Sequence, residues 1–125
     1  MKWDVEFHDV FEPEFNELPE IVQDEIYACG QLLSKFGPTL GRPHVDTLEG
    51  SKHANMKELR FNADNGVWRI GFAFDPERKA VLLVAGEKSG GSQKRFYKGL
   101  IKKADERFDS HLVKLEERKN KKKRK

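Results

Sequence analysis

The stretch Met56-Lys57-Glu58-Leu59-Arg60-Phe61-Asn62-Ala63-Asp64-Asn65-Gly66-Val67-Trp68-Arg69-Ile70-Gly71-Phe72-Ala73-Phe74 decides the fold. Leu59 and Phe61 alternate with Glu58 and Arg60, a period of two that sends one pair to each face of a strand. Trp68, Ile70, Phe72 and Phe74 repeat the pattern after Asp64-Asn65-Gly66, where Asn and Gly accept the positive φ of a tight hairpin. Asp75-Pro76-Glu77 makes the next turn, and a third strand is expected near residues 80–87. Two short turns joining three strands imply an antiparallel meander.

Upstream, Trp3, Val5 and Phe7 alternate with Lys2, Asp4, Glu6 and His8, which predicts a half-buried strand. A polar stretch containing Pro13 suits a short helical turn. Pro19 then opens a helix, and acids at Glu17, Glu20 and Asp24 suit its positive end. Val22, Ile26, Cys29, Leu33 and Phe36 step by four and three along one helical face, and Gly37-Pro38 ends it. Cys29 in this stripe is expected to be a small core residue. Residues 38–55, with Pro38, Gly41, Pro43 and Gly50, read as a connecting loop, and His44 and His53 as loop polar groups rather than metal ligands. Downstream, Tyr97, Ile101, Ala104, Phe108, Leu112 and Leu115 mark a second long helix over about residues 93–119. The order strand, helix, three strands, helix predicts one α+β domain over residues 1–118. Its sheet is small and antiparallel, with about four strands. The run of residues 119–125, almost all Lys and Arg, has no apolar anchor and is expected to be a disordered basic tail.

Charged residues make up 36% of the 125, against about 25% on average. They are unevenly spread. Residues 1–29 hold one base and nine acids, net −8; residues 30–93 hold nine bases and seven acids, net +2; residues 94–125 hold fourteen bases and five acids, net +9. A basic end of this strength points to a polyanion. No window approaches the roughly 20 apolar residues of a membrane span. The start Met1-Lys2-Trp3-Asp4 lacks the apolar centre of a signal peptide, and Cys29 is the only cysteine, so a cytoplasmic location is expected. His8, His44, His53 and His111 lack zinc-site spacing, and Gly90-Gly91-Ser92 is not a phosphate-binding P-loop. No metal or cofactor is expected.

With Leu59, Ile70 and Phe72 inward, Glu58, Arg60 and Arg69 point to the opposite side, where Gly71 and Ala73 leave space. Gly86-Glu87-Lys88 ends the third strand nearby. Two arginines, a lysine and a carboxylate on an open face suit a phosphodiester, because guanidinium forks fit phosphate oxygens and stay charged. RNA brings its own nucleophile, the 2′-hydroxyl, so the protein needs only a base, an acid and charge stabilisation. Glu58 or a lysine of depressed pKa could be the base; Lys88, Lys94 or Tyr97 could be the acid. The simpler reading is that Glu58 pairs with Arg60 or Arg69 on an exposed sheet face.

The element order, the strand Lys57-Glu58-Leu59-Arg60 and the following Trp68-Arg69-Ile70 resemble the RelE/ParE toxin superfamily. Phe36-Gly37-Pro38, Gly41-Arg42-Pro43-His44-Val45 and Leu48-Glu49-Gly50 look like its HigB-like, phage-derived branch, and the resemblance covers about residues 2–115. It implies the toxin of a type II toxin–antitoxin system, a ribosome-dependent mRNA endoribonuclease that needs no metal and leaves a cyclic phosphate. It also implies a cognate antitoxin, often a helix-turn-helix DNA-binding protein, and no membrane partner. Carried over by position, Arg60 and Arg69 would contact phosphate and Lys88 would sit at the cleavage point. Glu58 and Tyr97 complete the candidate catalytic set; Lys57, Lys94, Arg95 and Lys98 are the candidate RNA contacts. The sequence departs from the branch after Lys88, where Ser89-Gly90-Gly91-Ser92-Gln93 replaces a second lysine and a threonine-rich turn. Two alternatives remain: a non-catalytic gyrase inhibitor of the ParE type, and a basic RNA-binding module.

Overall fold

A computed structural model describes residues 2–123. The hairpin forms as its turn residues dictate. Asp64 and Asn65 have φ of 51° and 59°, and the two strands that they join run Lys57–Ala63 and Gly66–Phe74. In chain order the elements are β1 (Asp4–Phe7), α1 (Phe11–Asn16), α2 (Glu20–Phe36), a 3-10 turn (Gly37–Thr39), β2 (Val45–Thr47), β3 (Lys57–Ala63), β4 (Gly66–Phe74), β5 (Lys79–Glu87) and α3 (Gln93–Lys123).

The α+β class and the meander hold, with two corrections. The sheet has five strands, in the order β1-β5-β4-β3-β2, and β1 lies parallel to β5. β2 is three residues long, too short to show alternation, and falls in the stretch that reads as loop. The parallel pairing sets Val5 against Ala80 and Phe7 against Leu82.

Both faces of the sheet are covered. On one, Phe11, Phe15, Val22, Ile26 and Leu33 of α1 and α2 pack with Leu59, Ile70, Phe72 and Leu82. On the other, Leu100, Ala104 and Phe108 of α3 pack with Met56, Ala73, Val81 and Leu83. Cys29 lies within the first cluster, where burial pushes its thiol up to about 11. Gly37 ends α2 with φ 57°, and a Cβ there would overlap the Trp3 indole.

Polar ties fasten α3. Arg107 donates to both carboxylate oxygens of Glu14, at 2.8 and 2.7 Å, and to the Leu83 carbonyl at 2.8 Å. His111 Nε2 lies 2.7 Å from Asp75 Oδ2, and both side chains are buried. Asp75 Oδ1 accepts from the backbone N–H of Glu77 and Lys79, so one carboxylate shapes the β4–β5 turn and anchors the helix.

The basic run corrects another expectation. Residues 119–123 continue α3 as helix; residues 124–125 lie outside the described residues. Lys and Arg are good helix formers and are favoured at the negative end of the helix dipole, and Glu117 stands four residues before Lys121, the spacing of a favourable opposite-charge pair. Among the described residues the last buried one is Leu115, so the helix runs on past its packed part. No helix among the described residues is long and apolar enough to cross a membrane.

Replacing Asp75 with Ala should lower stability by about 3 kcal/mol, because it strips a buried imidazole and two turn amides of their partner. A denaturant midpoint unchanged from wild type would refute that anchoring role.

Candidate active site

The register assembles the site. Arg60 of β3 lies directly across from Arg69 of β4, and Arg69 lies across from Gly86 of β5. Glu58 stands two residues before Arg60 on the same face. A Cβ at Gly86 would sit 2.8 Å from the Phe96 ring, so the glycine lets the first turn of α3 settle onto the sheet. That approach brings the next residue, Tyr97, over Glu58 and Arg69.

The face that the sequence leaves open is therefore roofed. Glu58 and Arg69 keep 9% and 7% of their side-chain surface exposed. Arg69 Nε lies 3.3 Å from Glu58 Oε1 and donates to Tyr97 Oη at 3.3 Å, while that hydroxyl donates to Glu58 Oε1 at 2.9 Å. Arg69 Nη1 also donates to the Trp68 carbonyl at 2.9 Å. The result is a closed three-member network rather than a surface ion pair. A shallow depression lined by Pro43, Arg60, Phe61, Asn62 and Arg69 opens beside it.

Lys88 Nζ stands 5.4 Å from the Tyr97 ring centroid. Partial burial, then the charges of Arg69 and Arg60, hold its ammonium below the ordinary lysine value, with Glu58 pulling the other way. Burial raises the Tyr97 phenol above its usual value; the bond to Glu58 adds to this and Arg69 opposes it. Both shifts run in the direction that favours the neutral form of the group.

Arg60 is one-third exposed, 3.7 Å from Asp46 Oδ2. The same carboxylate pairs with Arg42 at 2.8 Å, and the Thr47 N–H, followed by Arg42, lowers its pKa. Sequence reasoning missed Arg42 and Asp46. They sit on a loop and a three-residue strand without periodicity, and only their opposite charges at i,i+4 could have marked them.

The other candidates divide. Lys57 shares strand parity with Leu59 and Phe61, so it faces α2 and does not join the cluster. Lys94, Arg95 and Lys98 are exposed on the first two turns of α3. That turn carries no acid, so basic residues crowd the positive end of the helix against local preference. Elsewhere, Glu6, Asp75 and His111 bring possible ligand atoms within 4.8 Å of one another, the spacing that a cation would need, at the opposite edge of the sheet from Arg60. The same Asp75–His111 contact anchors α3, and Glu6 lies 3.8 Å from Lys79.

A five-stranded sheet covered by α1 and α2 on one face and α3 on the other is a RelE-like fold. A solved structure of an Escherichia coli RelE toxin variant in the free state aligns with a TM-score of 0.57, covering 79% of this chain and 97% of that one. At 11% identity the likeness shows the fold alone. Residues 13–109 match the family described as Phage derived protein Gp49-like (DUF891), and the chain belongs to that family. It is 43% identical over 110 residues to the candidate toxin HigB2 of Mycobacterium tuberculosis, covering 87% of this chain and 54% of HigB2. It is 51% identical over 82 residues to the candidate toxin HigB3 of the same organism, covering 66% and 69%. The chain thus spans about half the length of HigB2 and about two thirds of HigB3.

Because folding raises the Tyr97 pKa, its contribution to stability is complete below the ordinary tyrosine value and is lost as pH rises through the folded value. Phenolate absorbance should show a titration above about 10 that disappears in Tyr97→Phe. Identical titration curves for the two proteins would contradict the network.

Proposed function

We propose that this protein is the toxin of a type II toxin–antitoxin pair and that it cleaves mRNA on the ribosome. The observation that carries this is the contact of Arg69 and Tyr97 with one buried carboxylate, Glu58, with Lys88 over the Tyr97 ring and Arg60 across the strand pair from Arg69. The likeness to the candidate toxins HigB2 and HigB3 supports it.

In this reading the 2′-hydroxyl attacks the adjacent phosphorus and the bond to the 5′-oxygen breaks, leaving a cyclic phosphate and a 5′-hydroxyl. Lys88, eased towards its neutral form, takes the 2′-hydroxyl proton. Tyr97, held protonated, gives its proton to the leaving 5′-oxygen. Arg60 and Arg69 meet the charge that builds on the phosphate. Glu58 is a positioning residue, since its Oε1 already faces both Tyr97 and Arg69. Lys94, Arg95 and Lys98 attract RNA phosphates without selecting sequence. A cognate antitoxin, encoded nearby, masks the toxin.

Arg60→Ala is the clean test, because Arg60 is partly exposed whereas removing Arg69 strands a buried carboxylate. Induction of the wild type should arrest growth and leave cuts in translated frames, read by primer extension. In the folded Arg60→Ala variant, cutting should fall about 100-fold. Arrest with intact mRNA and a DNA-damage response would favour a topoisomerase inhibitor instead.

A further inference from the structure

We propose that Asp46 is a positioning residue for the cleavage: it fixes where the Arg60 guanidinium waits and leaves that guanidinium's hydrogen-bond donors free for the RNA phosphate. This rests on the nuclease reading above and gives Asp46 a part in that reaction.

Sheet register places four charges together. Arg60 and Arg69 face each other across the β3–β4 pair, and Asp46 of β2 faces Glu58 of β3. Residues that face each other share a side of the sheet, so all four side chains stand on one face. Two arginines so placed repel each other. Each is drawn instead to a carboxylate on the diagonal, Arg69 to Glu58 at 3.3 Å and Arg60 to Asp46 at 3.7 Å.

The two pairs are unlike. Arg69 is buried and commits Nε to Tyr97 and Nη1 to the Trp68 carbonyl. Arg60 keeps 34% of its side-chain surface exposed, and its contact with Asp46 is ionic, too long for a hydrogen bond. Asp46 thus attracts Arg60 without occupying one of its donors. The other partners of Asp46 explain the gap. Its Oδ1 accepts from the Thr47 N–H at 2.8 Å, and its Oδ2 accepts from Arg42 Nε at 3.1 Å and stands 2.8 Å from Arg42 Nη2. These bonds hold the carboxylate at its strand and keep it from closing on Arg60. The Arg60 backbone is fixed as well, since its N–H donates to the His44 carbonyl at 2.8 Å. A guanidinium placed in advance loses less freedom when phosphate arrives, and a two-point grip then replaces the looser ionic contact. Asp46 acts through Arg60 and touches no reacting atom.

The test uses the intact chain with purified ribosomes holding a defined mRNA, and measures the cutting rate against ribosome concentration. Asp46→Asn keeps the size of the side chain and an acceptor for the Thr47 N–H but removes the charge. In that variant kcat should fall about tenfold, while KM for the programmed ribosome moves by less than about twofold. In an Arg60→Ala background the same substitution should change neither. Asp46→Ser is a second removal of the charge, and an unfolding midpoint checks that each variant is folded. An unchanged kcat in both folded variants, a rise in KM alone, or a fall of the same size with and without Arg60 would overturn the assignment and leave the nuclease standing. A folded wild type that makes no cut would overturn the nuclease reading itself, and the role of Asp46 with it.

Discussion

A carboxylate and a guanidinium lie buried together beneath a helix, and their neighbours are arranged around that contact. Taking two such charges out of water is expensive, and their attraction offsets the cost only when the remaining donors and acceptors are satisfied. Tyr97 helps to satisfy them, bridging Glu58 and Arg69 from above. To reach them, α3 must lie close to the sheet, which requires glycine at position 86. The ion pair, the glycine and the helix are one constraint seen from three elements.

The same constraint sorts the charges. Half of the 24 Lys and Arg residues lie along α3, most of them exposed, where single charges matter little to folding and much to encounter with a polyanion. The few charges that could act on a phosphate lie where the local net charge is small. Each is tuned by burial or by a neighbour: Lys88 downward, Tyr97 upward. Arg60 keeps a partly exposed guanidinium beside Asp46, and Arg69 reaches the adjoining depression.

Alternation along residues 58–74 was enough to place Glu58, Arg60 and Arg69 on one face, and the helical stripe beginning at Tyr97 placed the second long helix. What alternation could not show was where that helix would land. Side-chain parity gives a face, but whether the face is open depends on packing between elements distant in sequence. Hence Glu58 and Arg69 read as exposed and proved buried. β2 and its Asp46 were illegible because three residues cannot establish a period. Lys57 sat beside the right residues in sequence and on the wrong side of the strand. The helical course of residues 119–123 escaped notice because composition reports the absence of an apolar anchor, not the backbone preference of Lys and Arg.

α3 is a single rod that carries Tyr97 near its start and His111 about four turns further on. A rigid body pinned near its middle by Arg107 and His111 has little freedom to lift only its first turn. Fluctuations that expose Glu58 must fray that turn locally or release the helix from the sheet. The rate at which α3 amide hydrogens exchange with solvent is therefore a clock for how long the Glu58–Tyr97–Arg69 network stays closed.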